Sequence, residues 1–170
     1  ALLKGKHVVT SNKALVAAHG TELLRIAREK KVNFFFEAAV GGGIPVIRTL
    51  GTGYQGQVIT EITGILNGTT NYILTRMDRE GAEFGDVLAD AQRLGYAERN
   101  PEADIEGHDT CRKIAILSSL VTGKEVNFED VYTEGISKID STDFRYASEL
   151  RASIKLVGSA QFAGDQVTVS

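Results

Sequence analysis

The residues best suited to chemistry in this 170-residue chain crowd into one stretch, Gly95-Tyr-Ala-Glu-Arg-Asn-Pro-Glu-Ala-Asp-Ile-Glu-Gly-His-Asp-Thr-Cys-Arg-Lys113. Glu98, Asp104 and Asp109 offer three carboxylates and Lys113 one ammonium, over a loop that runs into a helical pattern. Asp109 and Lys113 are four residues apart, acid first, so they share a helix face. Alone, such a pair reads as a solvated surface ion pair worth about 0.3–0.5 kcal/mol. The carboxylates of the glycine-bounded loop just before it favour a second reading. Three acids around one lysine suit a small guest that carries an ammonium group and a reactive oxygen. Cys111 falls roughly 200° around the helix from Asp109, off that face, and reads as a small core residue. An acyl-enzyme route from an aldehyde needs a thiolate nucleophile. Reducing an aldehyde to an alcohol needs a hydride donor, a proton donor and a fixed carbonyl, and these residues suit that reaction.

Two further segments could meet a ligand. Asn67-Gly68-Thr69-Thr70-Asn71 lies at a strand-to-helix junction. A helix start offers free N–H groups and the positive end of a dipole, which suit a carboxylate. Ordinary capping by Asn or Thr is the competing account, and Gly68 favours close approach to the backbone. Gly41-Gly42-Gly43 follows an apolar strand ending in Phe36-Glu37. It reads either as a tight turn or as bare carbonyls that, with Glu37, could hold a hard cation. Gly51-Thr-Gly53-Tyr-Gln-Gly56 matches a dinucleotide pattern only formally. That motif must follow a strand and open a helix, whereas here a helical segment precedes and a β pattern follows, so a surface turn is expected. His7, His19 and His108 show no ligand spacing and read as structural or surface residues.

The elements that must position these groups follow from periodicity. Ala1–Gly5 reads as a helix tail and His7–Thr10 as a strand. A helix with Thr21 as its cap buries Leu23, Leu24, Ile26 and Ala27. A buried strand covers Val32–Phe36, a short helix runs to Leu50, and a strand spans Val58–Leu66. A helix from Asn67 or Thr69 to about Glu80 stops at Gly81. The next uses Val87, Leu88, Ala91 and Leu94 and ends at Gly95. Helix 108–121 stops at Gly123, and Phe144, Ala147 and Leu150 mark another. Ile154 to Phe162 alternates as a strand, and Gly164-Asp165 turns into Val167–Val169. Strands alternating with helices and then pairing as a hairpin predict an α/β (α+β) fold, a mixed sheet covered by helices on one face.

Net charge is −3, and the one basic run, Arg28-Glu-Lys-Lys31, falls at a helix end where the dipole favours cations. Nothing therefore points to nucleic acid or to a membrane surface. No apolar run reaches membrane-spanning length. A single cysteine excludes an intrachain disulfide and a cysteine-based zinc cluster, and a cytoplasmic location is expected.

Three groups of residues together resemble the homoserine dehydrogenase family: Thr10-Ser-Asn-Lys13; Glu37-Ala-Ala-Val-Gly-Gly-Gly-Ile-Pro45 with Gly64-Ile-Leu-Asn-Gly-Thr-Thr-Asn-Tyr-Ile-Leu74; and Gly95 through Lys113. The likeness spans nearly the whole chain. It implies the catalytic and dimerisation region of a two-domain NAD(P)-dependent oxidoreductase that acts on an alcohol. The reaction implied is interconversion of L-homoserine and L-aspartate 4-semialdehyde, in threonine and methionine biosynthesis. By matching position, Lys113 is the proton donor beside Asp109. Glu98, Asp104, Asp109, Gly68, Thr69 and Tyr96 contact substrate, and Lys13, Gly95 and Glu98 lie near the nucleotide. Glu37, Val40, Gly42 and Ile44 match a monovalent cation site for Na or K, largely through carbonyls. The resemblance also implies a homodimer. Residues 1–13 are expected to be the tail of a nucleotide-binding domain and 14–170 the substrate-binding, catalytic and dimerisation domain, cut short at its C-terminus and inactive alone. Asn100 departs from the family, which often has aspartate there. Two other readings stay open: a different nicotinamide-linked reductase of a small amino or keto acid, and a non-catalytic amino-acid-binding dimerisation module.

Overall fold

A computed structural model describes residues 1–54 and 56–170. The fold is mixed α/β, as the alternating patterns predict. In chain order it runs β1 (Val8–Val9), α1 (Lys13–Lys30), β2 (Phe34–Phe35), α2 (Val46–Arg48), β3 (Glu61–Gly64), α3 (Gly68–Glu80), α4 (Phe84–Arg93), α5 (Glu102–Ile105), α6 (His108–Thr122), α7 (Ser141–Glu149), β4 (Gly158–Ala163) and β5 (Gln166–Val169). Two compact units result. The first comprises Ala1–Thr63, Cys111–Tyr132 and Ser159–Ser170, and the second Gly64–Thr110 and Thr133–Gly158. Among the described residues, no helix is long and apolar enough to cross a membrane.

In the first unit, β1 pairs in parallel with β2, Val8 opposite Phe34, and α1 makes the crossover between them. His7 Nδ1 accepts the Asn33 N–H at 3.0 Å, a structural role for that histidine. Helix α1 begins at Lys13, well before Thr21, because the Asn12 side chain caps it by accepting the Leu15 N–H. Gly20 does not break the helix; it is buried where a Cβ would stand 3.3 Å from Val16 Cγ1. The short helix near Leu50 continues as a π-helical turn over Thr49–Gly53, so it reaches into the glycine pattern; Gln55, inside that pattern, lies outside the described residues. The second sheet has the order β3-β4-β5. Its β4–β5 hairpin aligns Ala160 with Val169 and Ala163 with Gln166 across Gly164-Asp165, with Gly164 at φ 60°. The strand expected over Val58–Leu66 shortens to Glu61–Gly64, and Val58 is 87% exposed.

The second unit is helical. Ile73, Leu74 and Met77 of α3 pack with Val87 and Ala91 of α4, with Ala97, Ile136 and Phe144 of α7 completing the core. Helix α3 ends as predicted at Gly81, which takes a left-handed φ of 62°. Helix α4 stops at Arg93 and leaves Leu94 exposed rather than buried. Leu150 is likewise exposed, and Arg151 adopts the left-handed turn after α7 at φ 53°. Strand β4 starts at Gly158, later than the alternation suggests, because Ile154 and Leu156 pack on the helical core instead of pairing.

Arg76 ties α3 to α4: its guanidinium donates to Glu80, to Asp90 Oδ2 at 2.8 Å and to the Tyr72 hydroxyl at 3.2 Å. Hydrogen bonding to Arg76 holds the carboxyls of Glu80 and Asp90 below their ordinary range, Arg93 adding to the effect on Asp90. A carboxylate whose pKa falls on folding stabilises the fold fully above its unfolded value and loses that contribution as pH drops through the folded value. Arg76→Met is therefore expected to lower the unfolding midpoint at neutral pH and to flatten its decline below about pH 4. Thermal melts across the acid range test this; an acid limb identical to that of the parent chain would show that the cluster does not stabilise the fold.

Candidate functional site

Asn67 sits between β3 and α3, 5% exposed, and organises the second unit's polar centre. Its side-chain oxygen accepts the Thr70 N–H at 2.8 Å and the Thr70 hydroxyl at 3.1 Å, which caps α3. Its amide nitrogen donates to Asp104 Oδ1 at 2.7 Å and to Asp109 Oδ2 at 2.9 Å. One side chain thus draws together the start of α3, the short helix α5 and the first turn of α6. Asp109 is 2% exposed, so it is buried rather than solvated. Two unit charges about 5 Å apart repel by about 3 kcal/mol at an effective dielectric near 20. Charged hydrogen bonds to a common donor, about 1.5–3 kcal/mol each, offset that repulsion. The positive end of α3 acts in the same direction.

The turn that carries the two aspartates is braced from behind. Gly107, between α5 and α6, takes φ 81°, and a Cβ there would stand 3.0 Å from the Glu134 carbonyl oxygen. The Ile136 N–H donates to the Ile105 carbonyl at 2.7 Å. Gly135 is closer still: a Cβ would lie 2.4 Å from Ile105 O and 2.6 Å from Glu106 Cα. Backbone against backbone fixes the path of the turn that carries Asp104 and Asp109, while their carboxyl groups are placed by the bonds they accept.

The neighbouring loop is tethered at both sides. Gly95 turns at φ 79°. The Thr69 hydroxyl donates to the Tyr96 carbonyl at 2.7 Å, and Gln92 Nε2 donates to the Glu98 carbonyl at 3.1 Å. The Tyr72 and Tyr96 rings meet at 4.9 Å between centroids. Tyr96 and Glu98 are exposed on this loop. Gly68 opens α3 outside the left-handed region, with nothing within 4 Å of a would-be Cβ, so neither backbone nor packing demands glycine there.

The remaining candidates belong to the first unit. Lys113, half-buried, stands one turn beyond Asp109 on α6. Cys111 is buried and its thiol donates to the Phe128 carbonyl at 3.2 Å, so it serves packing. Lys13 is the first residue of α1, where a cation opposes the helix dipole and so adds nothing to the helix. The Glu37 carboxylate accepts the Ile47 and Arg48 N–H groups, both at 2.9 Å, and so caps α2. Val40 is buried, Gly42 takes φ 56°, and Ile44 is exposed. Among the described residues no three His, Cys, Asp or Glu side chains gather as a metal site. Of the residues singled out from sequence, the structure joins Asp104 with Asp109, and Thr69 with the Tyr96 backbone. The residue that does the joining, Asn67, was visible from sequence only as a helix cap.

Together these features define an α/β chain with an acid-lined helix start. The homoserine dehydrogenase family model matches residues 45–170, and the chain belongs to that family. It is 49% identical over 164 residues to a homoserine dehydrogenase of Neisseria gonorrhoeae, covering 96% of this chain and 38% of that one. With the Bacillus subtilis homoserine dehydrogenase it shares 47% over 170 residues, 100% of this chain and 39% of the relative. Among solved structures, a homoserine dehydrogenase from Thiobacillus denitrificans superposes with a TM-score of 0.94 at 49% identity, over 99% of this chain and 39% of that one. A hyperthermophilic archaeal homoserine dehydrogenase in complex with NADPH gives 0.83 at 32% identity, over 100% and 49%. The chain therefore spans well under half the length of the curated relatives it matches.

Because Gly135 presses on backbone atoms that cannot rotate away, Gly135→Ala is expected to destabilise the fold by about 1–3 kcal/mol or more. Gly85→Ala, in α4 with open space at its Cβ, should be neutral or mildly stabilising. Denaturant midpoints compare the two, and equal midpoints would mean that the turn is not braced.

Proposed function

We propose that this chain carries the substrate-binding and proton-transfer residues of a homoserine dehydrogenase, interconverting L-homoserine and L-aspartate 4-semialdehyde with NAD(P), in threonine and methionine biosynthesis. One observation carries the reading: Asp104 and Asp109 share the Asn67 amide at the start of α3, within the segment that the family model matches. The acids Asp104, Asp109 and Glu98 would receive the α-ammonium group. The N–H groups of Thr70 and Asn71 are taken up by Asn67, which leaves those of Gly68 and Thr69 as the donors a carboxylate would meet. Tyr96 would close over the guest from its exposed loop.

Lys113 would hold the proton that moves to and from the substrate oxygen, with Asp109 orienting it from one turn away. A nicotinamide cofactor, when bound, supplies or accepts the hydride at the neighbouring carbon. Lys13, Gly95 and Glu98 are the residues that would hold it. Gly95 fits that part, since nothing lies within 4 Å of where its Cβ would be. In a protein extended to the length of the relatives, Lys113→Ala is expected to lower kcat by about 10²–10⁴-fold. Near-normal turnover would remove Lys113 from that role, and activity confined to a different aldehyde would replace the substrate.

Two associated features belong to the same proposal. Glu37, Val40, Gly42 and Ile44 would bind Na or K. Because the Glu37 carboxylate already caps α2, that site would rely on main-chain oxygens. A higher melting temperature in sodium or potassium chloride than in choline chloride, at equal ionic strength, is the expected sign; equal melts would dismiss the site. Pairing of two copies through the β3–β5 sheet, in the cytoplasm, accords with the family reading.

A further inference from the structure

We infer that Asn67 is a positioning residue, joining Asp104 and Asp109 into a single ammonium-receiving pair and fixing that pair to the start of α3. The catalytic consequence rests on the function proposed above; the clamp itself rests on geometry alone. The orientation of the amide is determined. The Thr70 N–H can only donate, so the atom 2.8 Å from it is the side-chain oxygen, and the nitrogen must face the acids. The Thr70 hydroxyl, on a fully buried side chain, reinforces the same orientation at 3.1 Å. The two amide hydrogens then go one to each carboxylate, at 2.7 and 2.9 Å.

Capping alone does not require asparagine. Asp and Ser cap helices about as well. Asp offers no donor at all, and Ser offers one; only a carboxamide pairs two donors with an acceptor. Asparagine is thus the one efficient cap that can also bridge two anions. Without the bridge, Asp104 on α5 and Asp109 on α6 would lose their common reference point, and like charges would move apart. Weakening a charged hydrogen bond that holds the substrate, worth about 1.5–3 kcal/mol, costs roughly 10–100-fold in binding, and such a loss of uniform binding appears in KM rather than in kcat.

Cap and clamp can be separated. In the 170-residue chain, the two Asn67 side-chain amide protons should be resolved by NMR and should exchange with water far more slowly than those of exposed Asn100. Exchange as fast as that of Asn100 overturns the clamp. In the full-length protein, N67S and N67D keep a cap but lose the bridge. Both are expected to raise KM for homoserine by about 10–100-fold, with a smaller change in kcat and an unchanged KM for the cofactor. N67S should melt close to the parent. Folded N67S and N67D proteins with parental KM overturn the positioning role. If the full-length parent itself fails on homoserine, the function proposed above falls, and amide exchange alone decides the clamp.

Discussion

Two carboxylates set close together in a water-poor corner repel unless something donates to both. In this chain that something is the side-chain amide of Asn67, which bonds Asp104 and Asp109 at once while its oxygen caps α3. The arrangement holds the two carboxyl groups on one donor, at 2.7 and 2.9 Å. It also aligns them with the positive end of a 13-residue helix.

The rest of the second unit reads as support for that corner. Gly135 and Gly107 let one backbone segment press against another, so the α5–α6 turn has nowhere to drift. Thr69 and Gln92 hold the Tyr96–Glu98 loop by its carbonyls, with Ala97 buried in the core and Tyr96 and Glu98 exposed. Arg76, bonded to Glu80, Asp90 and Tyr72, locks α3 against α4 and so keeps the capped end of α3 in place. These bonds and backbone contacts tie together the elements that carry the site.

Much of this was legible beforehand, for identifiable reasons. Helix α3 announced both of its ends, Asn67 before it and Gly81 after it, because caps are local chemistry. Cys111 was recognisable as packing from its angle on α6. The misreadings share a cause. Thr21 is a good capping residue by type and so concealed the true cap of α1, Asn12, whose side chain accepts the Leu15 N–H. Ile154 and Leu156 alternate like a strand, yet the nearby helical core offers more apolar contact than a partner strand. Leu94 and Leu150 continue an apolar stripe past the point where the helix stops, and so emerge into solvent. The bonds that the Glu37 carboxylate accepts from the amides of α2, ten and eleven residues on, had no signal in the sequence.

The sequence by itself determined the mixed α/β class, the caps and turns, the absence of a disulfide and the family to which the chain belongs. The first three follow from residue type, local spacing and composition, which act over a few positions; the family was legible from the likeness of whole motifs to known members. Only the tertiary structure decided that Asn67, 37 and 42 residues from its acidic partners, binds them both. The same folding buried Asp109. Contacts of that kind depend on where three separate helices end in space, and no periodicity along the chain encodes it.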